Sequence, residues 1–317
     1  MTVAQAQPNI ALIKYWGKQD GGRNLPATGS LSLTLESLWT RMSVRFASVP
    51  GADRLSVNGT ANDAMLPRVT ACLDRFYGGN RPAAIVESAS NFPIGAGLAS
   101  SASAFAALVT AASAVSGRPH DRQALARLAG AASGSAARSL YPGIVELAVQ
   151  DGQISVASVA AVDHWPLRIV VAITDESAKP LGSGDAMLQC AATSPFYSAW
   201  IERQDADLQV ARNAVMKCDF EQLAAVSEHN CLKMHSVMWA SRPAIVYWQA
   251  ATVACMEAVR DLQKAGVPVF FTIDAGPQVK AVCLPGFEDR VAGSLSSTTG
   301  VRRVLTSGLG DGARVLA

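Results

Sequence analysis

What the sequence has little of narrows it first. Charged side chains make up only 16% of its 317 residues against 50% hydrophobic ones, so a folded globular protein is expected, with apolar material for one large core or two packed domains. Neither sign of charge is in excess: 27 basic and 25 acidic residues leave a net charge of +2, too little to draw nucleic acid or an anionic membrane. Any positive potential must be local. No CxxC pair and no histidine cluster at metal-ligand spacing occurs; Cys72, Cys190, Cys218, Cys231, Cys255 and Cys283 are scattered and read as buried thiols in a reducing compartment. The opening residues, Met1 to Trp16, show no basic region followed by an apolar stretch and a cleavage site, and no uninterrupted run is long enough to span a bilayer. A cytoplasmic protein without nucleic-acid or membrane partners is therefore expected. Self-similarity with a period of twenty to fifty residues, the mark of a solenoid, is absent as well.

What is present has two textures. Up to about residue 90 short runs alternate apolar and polar positions, as in Asn9–Trp16, Gly29–Leu35 and Met42–Phe46, and predict strands. A helix is predicted over 64–77, a strand over 83–87, helices over 100–115 and 121–131, and strands over 143–149 and 153–160. A boundary falls near His164-Trp165-Pro166. Beyond it come a strand at 167–174, several amphipathic helices over 185–264, a hairpin over 267–284 turning at Asp274-Ala275-Gly276-Pro277, a helix at 286–296 and a last strand at 301–306. The sum is α+β in two lobes, 1–165 and 166–317, with the chemistry expected in the cleft between them.

The run from Asn91 to Ser103, NFPIGAGLASSAS, places Gly95, Gly97, Ser100 and Ser101 between a strand and the first turn of a helix. Glycines let a backbone approach a phosphate, unpaired helix N–H groups point at it, and serine hydroxyls donate to its oxygens or ligate magnesium. No Gly-Lys-Ser/Thr follows, so this is not the lysine-containing phosphate loop. Taken alone, it reads equally well as an ordinary strand-to-helix turn with a capping serine.

Four segments together resemble the mevalonate diphosphate decarboxylases of the galactokinase, homoserine kinase, mevalonate kinase and phosphomevalonate kinase superfamily. They are Asn9–Lys18 (NIALIKYWGK), the loop Asn91–Ser103, Ser133–Ser139 (SGSAARS) and Phe271–Pro277 (FTIDAGP), in matching order across nearly the whole chain. The resemblance implies a first lobe like domain 2 of ribosomal protein S5, a ferredoxin-like second lobe, ATP with Mg2+ as co-substrate and metal, mevalonate 5-diphosphate as substrate, and a homodimer. The implied activity is phosphorylation of the 3-hydroxyl followed by loss of carbon dioxide, giving isopentenyl diphosphate for isoprenoid biosynthesis.

The same resemblance distributes roles. Asp274 would hold or deprotonate the hydroxyl, although its Asp-Ala-Gly-Pro setting by itself is only a turn. Arg138 would grip the substrate carboxylate, where a lone arginine near a helix end would otherwise pass as a surface residue. Lys14 would lie by the reacting phosphoryl group, with Lys18 and Tyr15 near the substrate diphosphate. Both lysines are expected on one face of the first strand, and either could instead be a solvated edge-strand lysine. Gly95, Gly97, Leu98, Ala99, Ser100 and Ser101 would hold ATP, Ser101 would ligate the metal, and Ser133 and Ser135 would donate to the diphosphate. Departures from the family pattern are Ala132 and Pro142 in place of glycines, a glycine-rich Leu181–Met187 where a lid is expected, and Gln278 in place of asparagine. Two other readings stay open: a sister enzyme or 3-kinase acting on mevalonate 5-phosphate or another mevalonate phosphate, and an ATP-binding protein that has lost the chemistry.

Overall fold

A computed structural model describes residues 2–20, 22, 24–48, 51–94, 97–117, 120–177 and 179–316. The first lobe contains β1 (Thr2–Ala6), β2 (Asn9–Ile13), β3 (Lys18–Asp20), β4 (Leu25–Pro26), β5 (Ser30–Thr34), β6 (Thr40–Phe46), β7 (Arg54–Val57) and β8 (Thr60–Ala61). Then follow α1 (Leu66–Tyr77), β9 (Ala84–Ser90), α2 (Ser100–Ser116), α3 (Arg122–Ala132), a 3-10 turn at Arg138–Leu140, β10 (Ile144–Gln150) and β11 (Gln153–Ala160). The second lobe contains β12 (Arg168–Ile173), α4 (Ser183–Thr193), α5 (Tyr197–Lys217), α6 (Phe220–Trp239), α7 (Ala250–Lys264), β13 (Val269–Ile273), β14 (Val279–Cys283), α8 (Glu288–Ser296) and β15 (Arg303–Ser307). The chain does not finish there: β16 (Arg314–Val315) returns to the first lobe and pairs with β1, Ala4 opposite Val315.

In the first lobe, one sheet runs in the order β16-β1-β6-β9-β7-β8 and a second in the order β11-β10-β5-β2. Helix α2 fills the space against β6 and β1, and its alanine-rich sequence explains how: Ala102, Ala106, Ala107, Ala111 and Ala112 let the backbone come close, while Phe105, Leu108 and Val109 fill what remains. The second lobe's sheet runs β13-β14-β12-β15, all antiparallel. Counted within the lobe, that is strand order 2-3-1-4 with helices after the first and third strands, the ferredoxin-like arrangement.

Strand β2 lies at the edge of its sheet, and that edge faces the second lobe. Ile10, Leu12 and Leu33 share one buried cluster with Ile169, Val171, Phe270, Leu208 and Val215, so the two lobes close on a common core. This explains why β12, β13 and β14 read as continuous apolar runs rather than alternating ones: both of their faces are covered. The predicted first strand differs from the structure. Strand β1, whose TVAQA sequence carries little β signal, precedes it, and β2 stops at Ile13.

Candidate active site

A cavity of about 770 Å³ lies between the lobes. Lys14, Tyr15, Lys18, Gly97, Ala99, Ser100, Ser101, Ser133, Ser135, Arg138 and Asp274, all expected at the site, line it together. Leu98 does not: its side chain is 2% exposed and sits in the core shared by the lobes, leaving only its backbone for a ligand. Gly95 lies outside the described residues.

At one end stands the N-terminus of α2. Ala99 holds φ +52° there, a left-handed conformation that costs an L residue about 1–2 kcal/mol, and as the N-cap residue it has no side-chain oxygen to offer the helix. Its first turn contains no acidic residue, so the N–H dipoles are left with a positive character suited to phosphate. Ser101 Oγ is 3.1 Å from Ser133 Oγ, which brings the expected nucleotide loop and the expected substrate loop to one point. Among the described residues no three His, Cys, Asp or Glu side chains form a metal cage. The donors fit magnesium delivered with a nucleotide, which keeps phosphate oxygens and water and takes few protein ligands, a serine hydroxyl being enough.

The centre of the cavity is a charged triplet. Lys14 Nζ donates to Asp274 Oδ1 at 2.6 Å and to the Ala11 carbonyl at 2.7 Å, and Lys280 Nζ is 3.1 Å from Asp274 Oδ2. Burial pushes the Asp274 carboxyl upward, but the two ammonium groups outweigh it and hold the acid well below the usual carboxylate range. Each carboxylate oxygen thus faces one lysine, Oδ1 Lys14 and the buried Oδ2 Lys280.

Lys14 and Lys18 do not share a strand face as expected. Strand β2 ends before Lys14, and Gly17, at φ +132°, turns the chain into β3. The Lys14–Trp16 backbone is instead fixed by α5 and α6. Asn230 Oδ1 accepts from Lys14 N at 2.8 Å, Gln204 Nε2 donates to Lys14 O, and Trp200 Nε1 donates to Trp16 O at 2.8 Å. Asn230 and Gln204 are both buried and bonded to each other at 2.6 Å. Replacing Asn230 by leucine orphans the Lys14 N–H and the Gln204 amide oxygen, so urea unfolding should show a loss of roughly 1–3 kcal/mol per group left unpaired.

Arg138 is 3% exposed and donates to Ser30 Oγ at 2.5 Å, while its Nε has no partner. No carboxylate among the described residues lies within ion-pair distance of it. Burial lowers its pKa to about 10, with Tyr15 and Asp274 acting in the other direction. A buried guanidinium without an anion is costly, which makes this a receptor for one. Tyr15 stands beside it, its phenol pushed up by burial and so kept as a donor. The ring needs Gly134: a Cβ there would lie 1.9 Å from Tyr15 Oη. Gly134→Ala therefore displaces Tyr15, and KM for the substrate should rise about 10-fold, the worth of one hydrogen bond to a charged group. Gly184 lies beside Lys18, but a Cβ there would make only an ordinary 3.4 Å contact with Lys18 Nζ, so that position does not demand glycine.

Three contributors were not singled out from sequence. Asn9 donates to Ser139 Oγ at 2.7 Å and to the Ser135 carbonyl at 3.0 Å, bracing the serine loop. Lys280 is one of the few charged groups at 0% exposure. Lys179, on the segment before α4, donates to Ser183 Oγ at 2.6 Å and to the Ala275 carbonyl at 3.2 Å and lines the cavity. Gln278 anchors the root of that segment by accepting from Thr174 N at 2.6 Å and donating to the Asp175 carbonyl, so the substitution for asparagine is put to structural use. Burial lowers the Lys179 pKa to about 8, opposed by Asp274 and assisted by Lys280. Lys179 is a cation below that pH and loses its charge above it. If it holds a phosphate, kcat/KM for the nucleotide falls about tenfold per pH unit above 8, and Lys179→Met removes that alkaline limb.

Comparison with known proteins agrees with this geometry. Residues 6–160 match the family model of the diphosphomevalonate decarboxylase-like N-terminal domain, and residues 169–312 that of the mevalonate 5-diphosphate decarboxylase C-terminal domain. The diphosphomevalonate decarboxylase of Candida albicans is 30% identical over 97% of this chain and 95% of its own. That of Aspergillus fumigatus is 34% identical over 93% and 80%. Among solved structures, mevalonate diphosphate decarboxylase from Staphylococcus aureus superposes with a TM-score of 0.93 at 31% identity, covering 100% of this chain and 98% of the other. The structure of MDDEF in complex with MVAPP, AMPPCP and magnesium gives 0.92 at 31% identity over 99% and 98%.

Proposed function

The chain belongs to the diphosphomevalonate decarboxylase family, and on that premise we propose that it converts mevalonate 5-diphosphate and ATP to isopentenyl diphosphate, ADP, phosphate and carbon dioxide. One observation carries the reading: a buried guanidinium without a carboxylate partner among the described residues and a lysine-flanked carboxylate open into the same cavity as the N-terminus of α2. Residues 1–165 supply the phosphate and substrate contacts, and residues 166–317 carry Asp274.

A tertiary hydroxide is a poor leaving group, so ATP first converts it to a phosphate. The 3-hydroxyl donates to Asp274, and its oxygen attacks the γ-phosphorus in line with departing ADP. Held so far below the ordinary carboxylate range, Asp274 is a weak proton sink. Its main work is therefore to aim the oxygen; the hydroxyl proton passes to the carboxylate only late in a loose transition state and from there is released to solvent. Lys14 Nζ, bound to Asp274 Oδ1, is placed to meet the charge on the transferred group. Magnesium bound with ATP neutralises β- and γ-phosphate charge, and the Ser101 hydroxyl would hold it.

In the second half, the substrate's own bond between C3 and the now phosphorylated oxygen breaks, its electron pair leaves with phosphate, and positive charge grows at the tertiary carbon. The C–C pair to the carboxylate then forms the alkene as carbon dioxide departs. Arg138 holds that carboxylate until the bond breaks, while Tyr15, Lys18, Ser133 and Ser135 fix the diphosphate. The reading carries with it a cytoplasmic location, for which the six free cysteines are the support at hand, and a homodimer, for which the family resemblance alone is the support. Among the described residues no helix is long and apolar enough to cross a membrane. Incubation with magnesium, ATP and mevalonate 5-diphosphate tests the activity: ADP and carbon dioxide should appear one to one. ADP without carbon dioxide would make the protein a 3-kinase, and neither product would reduce it to a binding protein.

A further inference from the structure

Lys280 is out of place by every local rule. It lies on β14, in the interior of the sheet, opposite Thr272 of β13 and Val171 of β12, within a strand buried along its whole length. Burial lowers its pKa, partly opposed by Asp274. A methionine of the same length would fill that space but strip Asp274 of one of its two contacting cations, so the reason for a lysine lies in what its ammonium touches. Its ammonium group makes two contacts that belong to different parts of the site. One is to Asp274 Oδ2 at 3.1 Å; the other is a hydrogen bond, also 3.1 Å, to the carbonyl of Gly97, 183 residues away in the phosphate loop. The loop and the Asp274 turn already touch there. Gly97 is at φ +78°, and a Cβ on it would sit 3.2 Å from Gly276 Cα.

We propose that Lys280 is a positioning residue that ties the phosphate loop to Asp274, keeping the nucleotide and the acceptor hydroxyl in line without touching either. The Gly97 carbonyl is the negative end of a peptide that would otherwise be free to turn toward the bound phosphates. Lys280 holds that carbonyl away from them, which leaves N–H groups to face the nucleotide. The same ammonium faces Asp274 from the side opposite Lys14, so a shift of the loop is felt at the carboxylate. This rests on the phosphoryl-transfer reading above.

Asp274 is faced by Lys14 from the end of β2, Lys280 from β14, Lys179 from the segment before α4, Arg138 from the 3-10 turn, and Cys231 and His235 from α6. Burial keeps His235 neutral, at a pKa of about 3, and keeps Cys231 a thiol. Only cations therefore set its charge state across the working range. Removing one of the two that contact it moves the acid limb of kcat/KM to higher pH.

The test is a double-mutant cycle of Lys280→Met and Asp274→Asn, read by turnover and by calorimetric affinity for magnesium with a non-hydrolysable ATP analogue. Lys280→Met should lower kcat about 10²-fold, weaken the analogue about 10-fold and raise the acid limb by roughly one pH unit or more. In the Asp274→Asn background the further loss in kcat should be under about threefold, because Lys280 acts through the carboxylate. Equal losses in both backgrounds, or an unmoved acid limb, would overturn the assignment. Lys280→Gln, which can still donate to Gly97 but carries no charge, should recover analogue affinity but not the acid limb. If neither Lys280 variant folds, Asp274→Asn alone decides: analogue affinity should weaken about threefold or more, and unchanged affinity would sink the coupling. A wild-type protein that binds the analogue but releases no carbon dioxide would remove the decarboxylase reading and leave the loop assignment to the affinity data.

Discussion

Replacing Asp274 by asparagine is expected to lower kcat about 10³-fold or more while substrate and nucleotide affinities stay within about tenfold. The substitution preserves shape and removes the charge. Without it Lys14 keeps the Ala11 carbonyl and at most a neutral amide oxygen, and the acceptor for the 3-hydroxyl becomes an amide that can present its NH₂ instead. Because the effect lies in orientation and charge at the reacting oxygen, it belongs in kcat rather than KM. Lys14 and Lys280, 2% and 0% exposed, also lose their counter-charge, so the melting temperature should fall. Full activity in a folded Asp274→Asn chain would remove the carboxylate from the mechanism.

Arg138→Met should act in opposite directions on stability and activity. The guanidinium is buried, has no carboxylate partner among the described residues and leaves Nε without a hydrogen bond. A methionine of similar reach removes a desolvated charge at the cost of the Ser30 contact, so the melting temperature should hold or rise. Turnover should fall about 10²–10³-fold in kcat/KM, since the substrate carboxylate loses its bidentate partner both on binding and as the C–C bond breaks. Arg138→Lys should recover little, because an ammonium cannot offer the planar fork. A variant both less stable and fully active would mean that Arg138 serves the fold and not the carboxylate.

The contrast between these two residues shows what was legible in the sequence. Asp274 and Arg138 were found because each sits in a run, DAGP and SGSAARS, that resembles a family as a whole; neither residue signals a site by itself. Most of the α+β layout followed from periodicity, and the hairpin with its Asp274 turn forms between β13 and β14. The failures have physical causes. Nothing in NIALIKYWGK marks where pairing stops, so the sequence places Lys14 and Lys18 on one strand, whereas the structure ends β2 at Ile13 and turns at Gly17. Lys280 was hidden because a strand covered on both faces shows no alternation, although a lysine within VKAVC was a signal in itself. The Asn230 and Gln204 contacts to Lys14 span 216 and 190 residues, and no local pattern encodes such distances. Lys179 lies just before the glycine-rich Leu181–Met187, outside every run that carries the resemblance, and only its contacts with Ser183 and Ala275 bring it into the cavity.

The account turns on one bond: the substrate's own 3-oxygen must leave as part of phosphate before carbon dioxide is released. Mevalonate 5-diphosphate labelled with oxygen-18 at that hydroxyl, turned over with magnesium and ATP, reports it directly by mass spectrometry of the inorganic phosphate. The expected result is one labelled oxygen in each phosphate, with ADP and carbon dioxide in equal amounts. Label recovered in water, or carbon dioxide released without ADP, would contradict it.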